Sequence, residues 1–279
     1  VFNTTPTGEG AGLWQGGAAP AADDNGNIYI TSADGTFDLD MGGSDYGDTL
    51  LKLKFAGNSF SVLDSFTPFN QGCLNFYDLD IGSGGPALLP DGVSSRQLLA
   101  VPSKEGRVYI IDRNSMGSYR TDADSQIIDW VLINSLTCSS GSIPADGHTG
   151  NRIYGSMSYF NDSVYVAPAN ATMQRYAIDV NGDLTLASQS NNSFQTRGAN
   201  SVISANGTTN AILWVTEFAT DIHQTILRAY DATDLSHQLW DSTATNDSVG
   251  RGVVFTVPVV INGKVYVGSD SHVTVYGLK

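Results

Sequence analysis

Two aspartates and a lysine in the first half of the chain carry the side chains that acid–base chemistry needs. Asp78 and Asp80 form an Asp-Leu-Asp stretch ahead of an apolar strand pattern, and Lys104 begins a Lys-Glu-Gly turn after the following strand pattern. Carboxylates near a bound cation can accept protons, and an ammonium group can hold an oxygen of a ligand. The alternative is structural: the aspartates lie in a turn, and Lys104 stands at the end of a hairpin.

A second group of acidic residues lies in a glycine-rich insertion. Its five carboxylates belong to Asp34, Asp38, Asp40, Asp45 and Asp48. Calcium binds several oxygen ligands at once, and a loop of this kind can supply them. The order of the residues is not that of an EF-hand, so a solvated acidic loop is the alternative interpretation.

Five segments that share one pattern must position these residues. Each has a strand, a turn with Gly, Asn or Asp, a β-branched or aromatic strand, a polar turn and another strand. The segments are residues 18–38, 84–112, 156–179, 201–231 and 256–278. Pairs such as Asn25-Gly26 and Asn262-Gly263 mark hairpins, because both residues tolerate the positive φ of type I′ turns. The repeats predict an all-β fold, a β-propeller of about five four-stranded antiparallel blades in one domain, residues 1–279.

Aromatic side chains offer a third kind of contact. Trp14, Trp130 and Tyr159 could stack on sugar rings if they are exposed. Packing between blades is the alternative interpretation, since each blade of a repeat array buries its faces against its neighbours.

The composition favours strands and excludes two kinds of partner. The chain has 30 Gly and only 15% charged residues, and no window shows sustained helical periodicity. The net charge of −14 repels phosphate backbones, so nucleic acid is not an expected partner. No apolar run is long enough to span a bilayer, so no membrane span is expected.

Cysteines and glycosylation sequons bear on the compartment. Cys73 and Cys138 are the only cysteines; they form a disulfide in an oxidising compartment or remain two thiols. A disulfide would close a loop of roughly 65 residues, which is long enough to stabilise the fold. Six N-x-S/T sequons stand at Asn3, Asn161, Asn170, Asn191, Asn206 and Asn246. Together with the acidity and the few lysines, the sequons predict a secreted glycoprotein.

The stretch AYDATDLSHQLW (229–240) resembles the tryptophan-docking repeat of propellers of the pyrroloquinoline-quinone (PQQ) type. It keeps the Asp, Ala, Thr and Trp of that repeat, but Asp234-Leu235 replaces its glycine region. The stretches YGDTLLKLKF, DLDIGSGGPALLPD, KEGRVYIIDRNSMG and FTVPVVINGKVYVGS are similar, in order, to secreted PQQ-like propeller proteins of bacteria and fungi. The resemblance covers essentially the whole chain.

This resemblance implies a larger ring. The relatives are longer, so the chain is expected to be the C-terminal part of a seven- or eight-bladed propeller. Missing N-terminal blades or another chain would complete it. A compact five-bladed ring is the alternative.

The resemblance also implies roles for the residues named first. Asp78 or Asp80 would be the base that takes a proton from an alcohol, and Lys104, where the family has Arg, would hold the quinone's oxygens. PQQ and Ca²⁺ are then possible cofactors. The family's adjacent cysteine pair is absent, however, and lysine lacks the planar fork of arginine. The expected function is therefore a non-catalytic extracellular scaffold or binding module with no cofactor and an unknown ligand. The alternative is a PQQ-dependent dehydrogenase of alcohols or sugars.

Overall fold

The computed structural model describes residues 1–133, 138, 150–195, 197–243 and 247–277. Within these ranges the chain forms twenty β-strands in five sheets, a seven-residue α-helix and a short 3-10 helix. The predicted all-β fold with about five sheets is confirmed.

The first two sheets come from the first half of the chain. The first sheet, in spatial order, contains β1 (Ala21–Ala22), β2 (Asn27–Thr31), β3 (Leu50–Ala56), β4 (Ser59–Thr67) and β8 (Ser118–Tyr119). The second sheet contains β5 (Ala87–Leu88), β6 (Leu98–Pro102), β7 (Arg107–Asp112) and β9 (Asp129–Leu132). All pairs are antiparallel except β4 with β8, which is an addition to the four-stranded plan.

The remaining three sheets follow in chain order. The third contains β10 (Ser158–Tyr159), β11 (Ser163–Val166), β12 (Thr172–Ile178) and β13 (Leu184–Ser193). The fourth contains β14 (Ala199–Asn206), β15 (Thr209–Ala219), β16 (Gln224–Asp231) and β17 (Asp234–Asp241). The fifth contains β18 (Val259–Ile261), β19 (Lys264–Gly268) and β20 (Val273–Gly277), so it has three strands among the described residues.

The period-two alternation of strand side chains explains how the sheets pack. In β7, Tyr109 and Ile111 face an apolar cluster shared with the first sheet. Val108 and Ile110 point the other way, into a cluster shared with the third sheet. All four side chains are fully buried. Strands that bury both faces need a sheet on each side, which is why the repeats form a stacked array.

The first strands of the sheets lie at the centre of this array. β1 lies beside β5, β10 beside β14, and β14 beside β18. The segment that enters each first strand therefore crosses the same end of the array. Residues placed just before these strands can meet there, although they are far apart in sequence.

A short helix, α1 (Gln71–Tyr77), connects the first sheet to the second. Its first turn is fixed by side chains: Asn70 donates hydrogen bonds to Glu105, and Cys73 forms a disulfide with Cys138 across a Cα–Cα distance of 5.8 Å. The structure thus contains the disulfide considered from the sequence. The helix itself has too few residues to show helical periodicity, so the sequence does not predict it.

Replacing Cys73 with serine should lower the free energy of unfolding by about 2–5 kcal/mol, because the unfolded chain loses a long covalent loop. Urea unfolding of both proteins measures this difference. Reduction with dithiothreitol is the control: it should destabilise the wild type to a similar degree and leave Cys73→Ser unchanged. A variant as stable as the wild type would show that the disulfide contributes no stability.

Candidate functional site

The end of helix α1 places the two candidate aspartates. Asp78 caps the helix in the left-handed conformation, with φ 52° and ψ 52°, and its amide donates to the carbonyl of Leu74. The chain then turns inward, so that Asp80 is buried with 2% of its surface exposed. The Asp78 side chain stays half exposed. The C-terminal end of α1 therefore positions one accessible carboxylate, Asp78, and one buried carboxylate, Asp80.

Lys104 meets both aspartates from the turn between β6 and β7. Its amide donates to the backbone carbonyl of Asp80 over 2.9 Å, which fixes the turn against the segment after α1. Its Nζ lies 2.5 Å from Asp78 Oδ1 and 3.5 Å from Asp80 Oδ2. The structure thus brings together the three residues that the resemblance assigned to the site.

Asp34, in the loop after β2, completes this group. One carboxylate oxygen from each of Asp34, Asp78 and Asp80 lies within 4.8 Å of the others. Three carboxylates this close suit a hard divalent cation. Among the described residues, this is the only set of three acidic, histidine or cysteine side chains that converges in this way.

The other residues of the predicted calcium loop do not join Asp34 as a ligand set. The Asp38 carboxylate accepts a hydrogen bond from the amide of Asp45. The Asp45 carboxylate accepts bonds from the amide and hydroxyl of Thr7. Asp40 is exposed at the surface. Hydrogen bonds thus hold the glycine-rich insertion, and of its five carboxylates Asp34 is the one grouped with Asp78 and Asp80.

Asp48 lies beneath the site as a buried carboxyl group. Its Oδ2 accepts a hydrogen bond from Gln71 Nε2 over 3.3 Å. Burial raises the pKa of Asp48 well above 3.8, and the charges of Asp80 and Asp34 raise it further. Burial also raises the pKa of Asp80, although Lys104 and the hydroxyl of Ser83 oppose that shift.

A cavity of about 410 Å³ opens above these side chains. Its rim is aromatic: Trp14 is 74% exposed and Phe255 is 41% exposed, while Tyr154 is buried. Lys104 Nζ and the Arg197 guanidinium lie 5.8 Å and 5.4 Å from the centre of the Tyr154 ring. Both distances permit cation–π contacts, which hold the two cations beside the carboxylates.

The rim residues come from separate connections of the fold. Gly16 precedes β1, Ser83 precedes β5, Tyr154 precedes β10, Arg197 precedes β14 and Phe255 precedes β18. Gly16 is required because a Cβ there would collide with the carbonyl of Tyr154. Sequence reasoning did not identify Tyr154, Arg197 or Phe255, since each lies alone between two repeats. Only their shared position before a first strand could have indicated them.

The two other aromatic candidates lie elsewhere. Trp130 lies in β9 and packs on Arg107, whose guanidinium carbon is 4.4 Å from the ring centre. Tyr159 donates a hydrogen bond to Asp162 at the β10–β11 turn. Of the three aromatic residues considered for stacking, Trp14 alone lines the cavity.

The side chains at the site have the chemical types needed to bind Ca²⁺ and PQQ, the two cofactors that the resemblance implies. Carboxylate oxygens of Asp34, Asp78 and Asp80 suit Ca²⁺, and Lys104 offers an ammonium to a quinone oxygen. Two features differ from the family's pattern. The ammonium of Lys104 already pairs with two of the carboxylates, and both cysteines are used in one long-range disulfide.

The sequon asparagines are accessible wherever the structure describes them. Asn3, Asn161, Asn170, Asn191 and Asn206 are all exposed, and Asn246 lies outside the described residues. Asn191 is different because its side-chain nitrogen donates to the carbonyl of Ser236 over 2.9 Å within the strands. Among the described residues, no helix is both long and apolar enough to cross a membrane.

Comparisons with known proteins identify the fold. No protein family profile matches the sequence, and no curated protein matches it. Among solved structures, the WD40 domain of coronin from Toxoplasma gondii matches with a TM-score of 0.54 and 9% identity, over 90% of this chain and 52% of that one. The β-propeller domain of Cps50 (Swd1) from Myceliophteria thermophila matches with a TM-score of 0.52 and 9% identity, over 91% of this chain and 66% of that one. Sqt1 from Saccharomyces cerevisiae matches with a TM-score of 0.53 and 8% identity, over 89% of this chain and 56% of that one.

These matches place the chain in a class: it has the β-propeller fold predicted from its repeats, with about five blades. At this level of identity they show the fold alone. The chain spans about half to two thirds of the length of these three proteins.

Replacing Lys104 with methionine should increase the affinity of the site for Ca²⁺ by about tenfold or more, which corresponds to about 1.4 kcal/mol. The substitution removes the competing ammonium and leaves three carboxylates. Calorimetric titration with Ca²⁺ measures the change. Lys264→Met, at an exposed position, is the matched control and should bind as the wild type does. Equal affinities in all three proteins would show that the carboxylates do not act as one cation site.

Replacing Asp48 with asparagine should stabilise the protein increasingly as pH rises above 3.8, the ordinary pKa of the group. Because burial raises its pKa in the folded state, Asp48 binds its proton more tightly there, and ionisation at higher pH costs stability. The asparagine variant has no proton to lose. Urea unfolding from pH 4 to pH 8 measures the difference, with Asp24→Asn as the control for removing one negative charge. A difference that stays constant with pH would contradict the assignment.

Proposed function

We propose that this chain is a secreted, non-catalytic propeller module that binds a small, neutral, polyhydroxylated ligand in the cavity beside Lys104. One observation carries the proposal: the cavity combines Asp34, Asp78, Asp80 and Lys104 with an exposed tryptophan, Trp14. Ligand pockets typically combine apolar walls with a few convergent polar groups, and this cavity has both.

The charges at the site favour a neutral ligand over an anion. Three carboxylates face the ammonium of Lys104 and the guanidinium of Arg197, so an anionic ligand would approach an excess of negative charge. Hydroxyl groups can donate to the half-exposed Asp78 and accept from Lys104. The apolar face of a sugar ring can lie against Trp14, whose ring is mostly exposed.

Secretion and glycosylation belong to the same proposal. The disulfide between Cys73 and Cys138 persists in oxidising compartments, and five sequon asparagines are exposed. Asn191 should carry a glycan less often than the other four, because its side-chain nitrogen already donates to Ser236 of the neighbouring sheet. Mass spectrometry of glycopeptides from the secreted protein checks the occupancy of each site.

The fifth sheet packs on further blades, from the same polypeptide or another chain. Its outward face exposes four aliphatic side chains, from Val259, Ile261, Val273 and Val275. On every inner sheet such a face is covered by a neighbour. The longer propellers among the structural matches support this arrangement. Hydrogen exchange in β20 should be fast in the isolated chain and slow in the complete assembly; equal protection would contradict it.

A PQQ-dependent dehydrogenase of alcohols or sugars is the second candidate. The observation that favours it is the contact of Lys104 with Asp78 and Asp80, the residues that the resemblance assigned to quinone binding and proton abstraction. PQQ supplies hydride acceptance when it is bound. Lys104 would hold its oxygens, Asp34 with the other carboxylates would hold Ca²⁺, and Asp78 or Asp80 would accept the proton of the substrate hydroxyl.

Titration with D-glucose, followed by tryptophan fluorescence, tests whether the cavity binds a polyhydroxylated ligand. We expect saturable quenching in the wild type and at least about a tenfold weaker response in Asp78→Asn, because a hydroxyl loses its charged acceptor. Asp24→Asn, at an exposed position, should behave as the wild type does. A second arm adds PQQ, Ca²⁺ and a redox dye, and we expect no dye reduction.

Dye reduction that requires PQQ and is lost in Asp78→Asn and Asp80→Asn would overturn the proposed binding module and support the dehydrogenase. Absence of quenching by glucose, mannitol and glycerol, together with absence of dye reduction, would overturn both. Trp14→Phe should remove the fluorescence response while calorimetry still detects binding, which links the signal to the cavity.

A further inference from the structure

A second cavity, distant in sequence from the site around Lys104, lies between the fourth and fifth sheets. Its volume is about 580 Å³, within the range of roughly 300–1,000 Å³ typical of small-molecule sites. Its wall is mainly apolar. The residues that form it are Ser204, Ile212, Trp214, Trp240, Asp247, Val260, Gly263, Val265, Tyr276 and Gly277.

Strand register explains why the large aromatic side chains converge there. In the fourth sheet, Trp214 pairs with Ala229, and Ala229 pairs with Trp240, so two indoles stand in one row on either side of a methyl group. Directly opposed residues of neighbouring strands project from the same face of a sheet. The row therefore presents two large aromatic side chains separated by the small side chain of Ala229.

The facing row belongs to the fifth sheet. Val260 pairs with Val265, and Val265 pairs with Tyr276, so these three side chains also share a face. Tyr276 meets Trp240 edge to face, with ring centres 5.4 Å apart. The short valines opposite the indoles leave the space between the two sheets open.

Two polar atoms of the aromatic wall are already bonded to the protein. Trp214 Nε1 donates to Ser204 Oγ over 2.9 Å, and the Tyr276 hydroxyl donates to the backbone carbonyl of Asp247 over 2.6 Å. Burial raises the pKa of Tyr276 to about 12, so the phenol remains neutral. Among the wall residues Asp247 carries the only carboxylate. An anionic ligand would lose its hydration here without gaining a partner of opposite charge.

We propose that this cavity, defined by Trp214, Trp240, Val260 and Tyr276, is a binding site for a small, uncharged, planar aromatic molecule. Rings placed offset or edge-on to the two indoles gain contacts beyond those of burial alone. The unfilled space also leaves wall atoms without partners on one side, so a ligand that fits restores their dispersion contacts. Imperfect packing between two blades is the competing explanation, and it predicts no selective binding.

The test uses N-phenyl-1-naphthylamine, an uncharged aromatic dye whose emission rises in apolar surroundings. Titration of the whole chain should give saturable binding of one dye per molecule. Val260→Trp should weaken it at least tenfold, because the indole fills the cavity from the fifth sheet. Val259→Trp is the matched control: Val259 is the neighbouring residue of the same strand, projects from the opposite face and is 56% exposed, so binding should change less than twofold.

Energy transfer from tryptophan to the bound dye tests the proposal without relying on a cavity-filling variant, which could fail to fold. Excitation of tryptophan should sensitise the bound dye, and Trp214→Phe or Trp240→Phe should reduce that signal by about half. Trp14→Phe and Trp130→Phe, which remove indoles outside the cavity, should reduce it much less. Non-saturable binding, equal affinities of Val260→Trp and Val259→Trp, or equal effects of all four phenylalanine variants would each overturn the proposal.

Discussion

A sheet that is apolar on both faces needs a neighbour on each side, and this requirement organises the whole molecule. Strand β7 illustrates this requirement: Tyr109 and Ile111 face one neighbouring sheet, and Val108 and Ile110 face the other. Stacking then places the first strands of the sheets side by side at the centre. Every connection that enters a first strand crosses the same end of the array, and the cavity beside Lys104 forms there. The site is thus a consequence of how the core packs.

Electrostatics distinguishes this site from a simple acidic patch. Asp78 remains accessible, Asp80 is buried against Lys104, and Asp48 lies deeper with a raised pKa. Burial raises the pKa of both Asp80 and Asp48, and the ammonium of Lys104 opposes the shift of Asp80. The ammonium of Lys104 compensates the two carboxylates that it contacts, which reduces the repulsion among the three aspartates.

Much of the fold could be predicted from the sequence, because its signals are local. Turns marked by Gly, Asn or Asp and short β-branched strands recur along the chain, and they predict the sheets and their approximate number. Helix α1 was not predicted, since seven residues are too few for helical periodicity. The site was only partly predictable. Asp78, Asp80 and Lys104 were found through motif resemblance. Asp34 was considered only with the acidic residues of its own loop, because loop sequence does not reveal that the fold places it beside Asp78 and Asp80. Tyr154, Arg197 and Phe255 each stand alone in sequence and meet only through the stacking of sheets.

The disulfide has a consequence for how the protein withstands proteolysis. Residues 73 and 138 flank β5, β6, β7 and β9, so the covalent loop encloses all four strands of the second sheet. A protease that cuts one exposed turn within that loop leaves the two halves of the polypeptide linked. The fragments stay at high effective concentration, and the nicked sheet can close again on its own strands. The bond therefore protects the blade that carries Lys104 against a single cleavage in its turns.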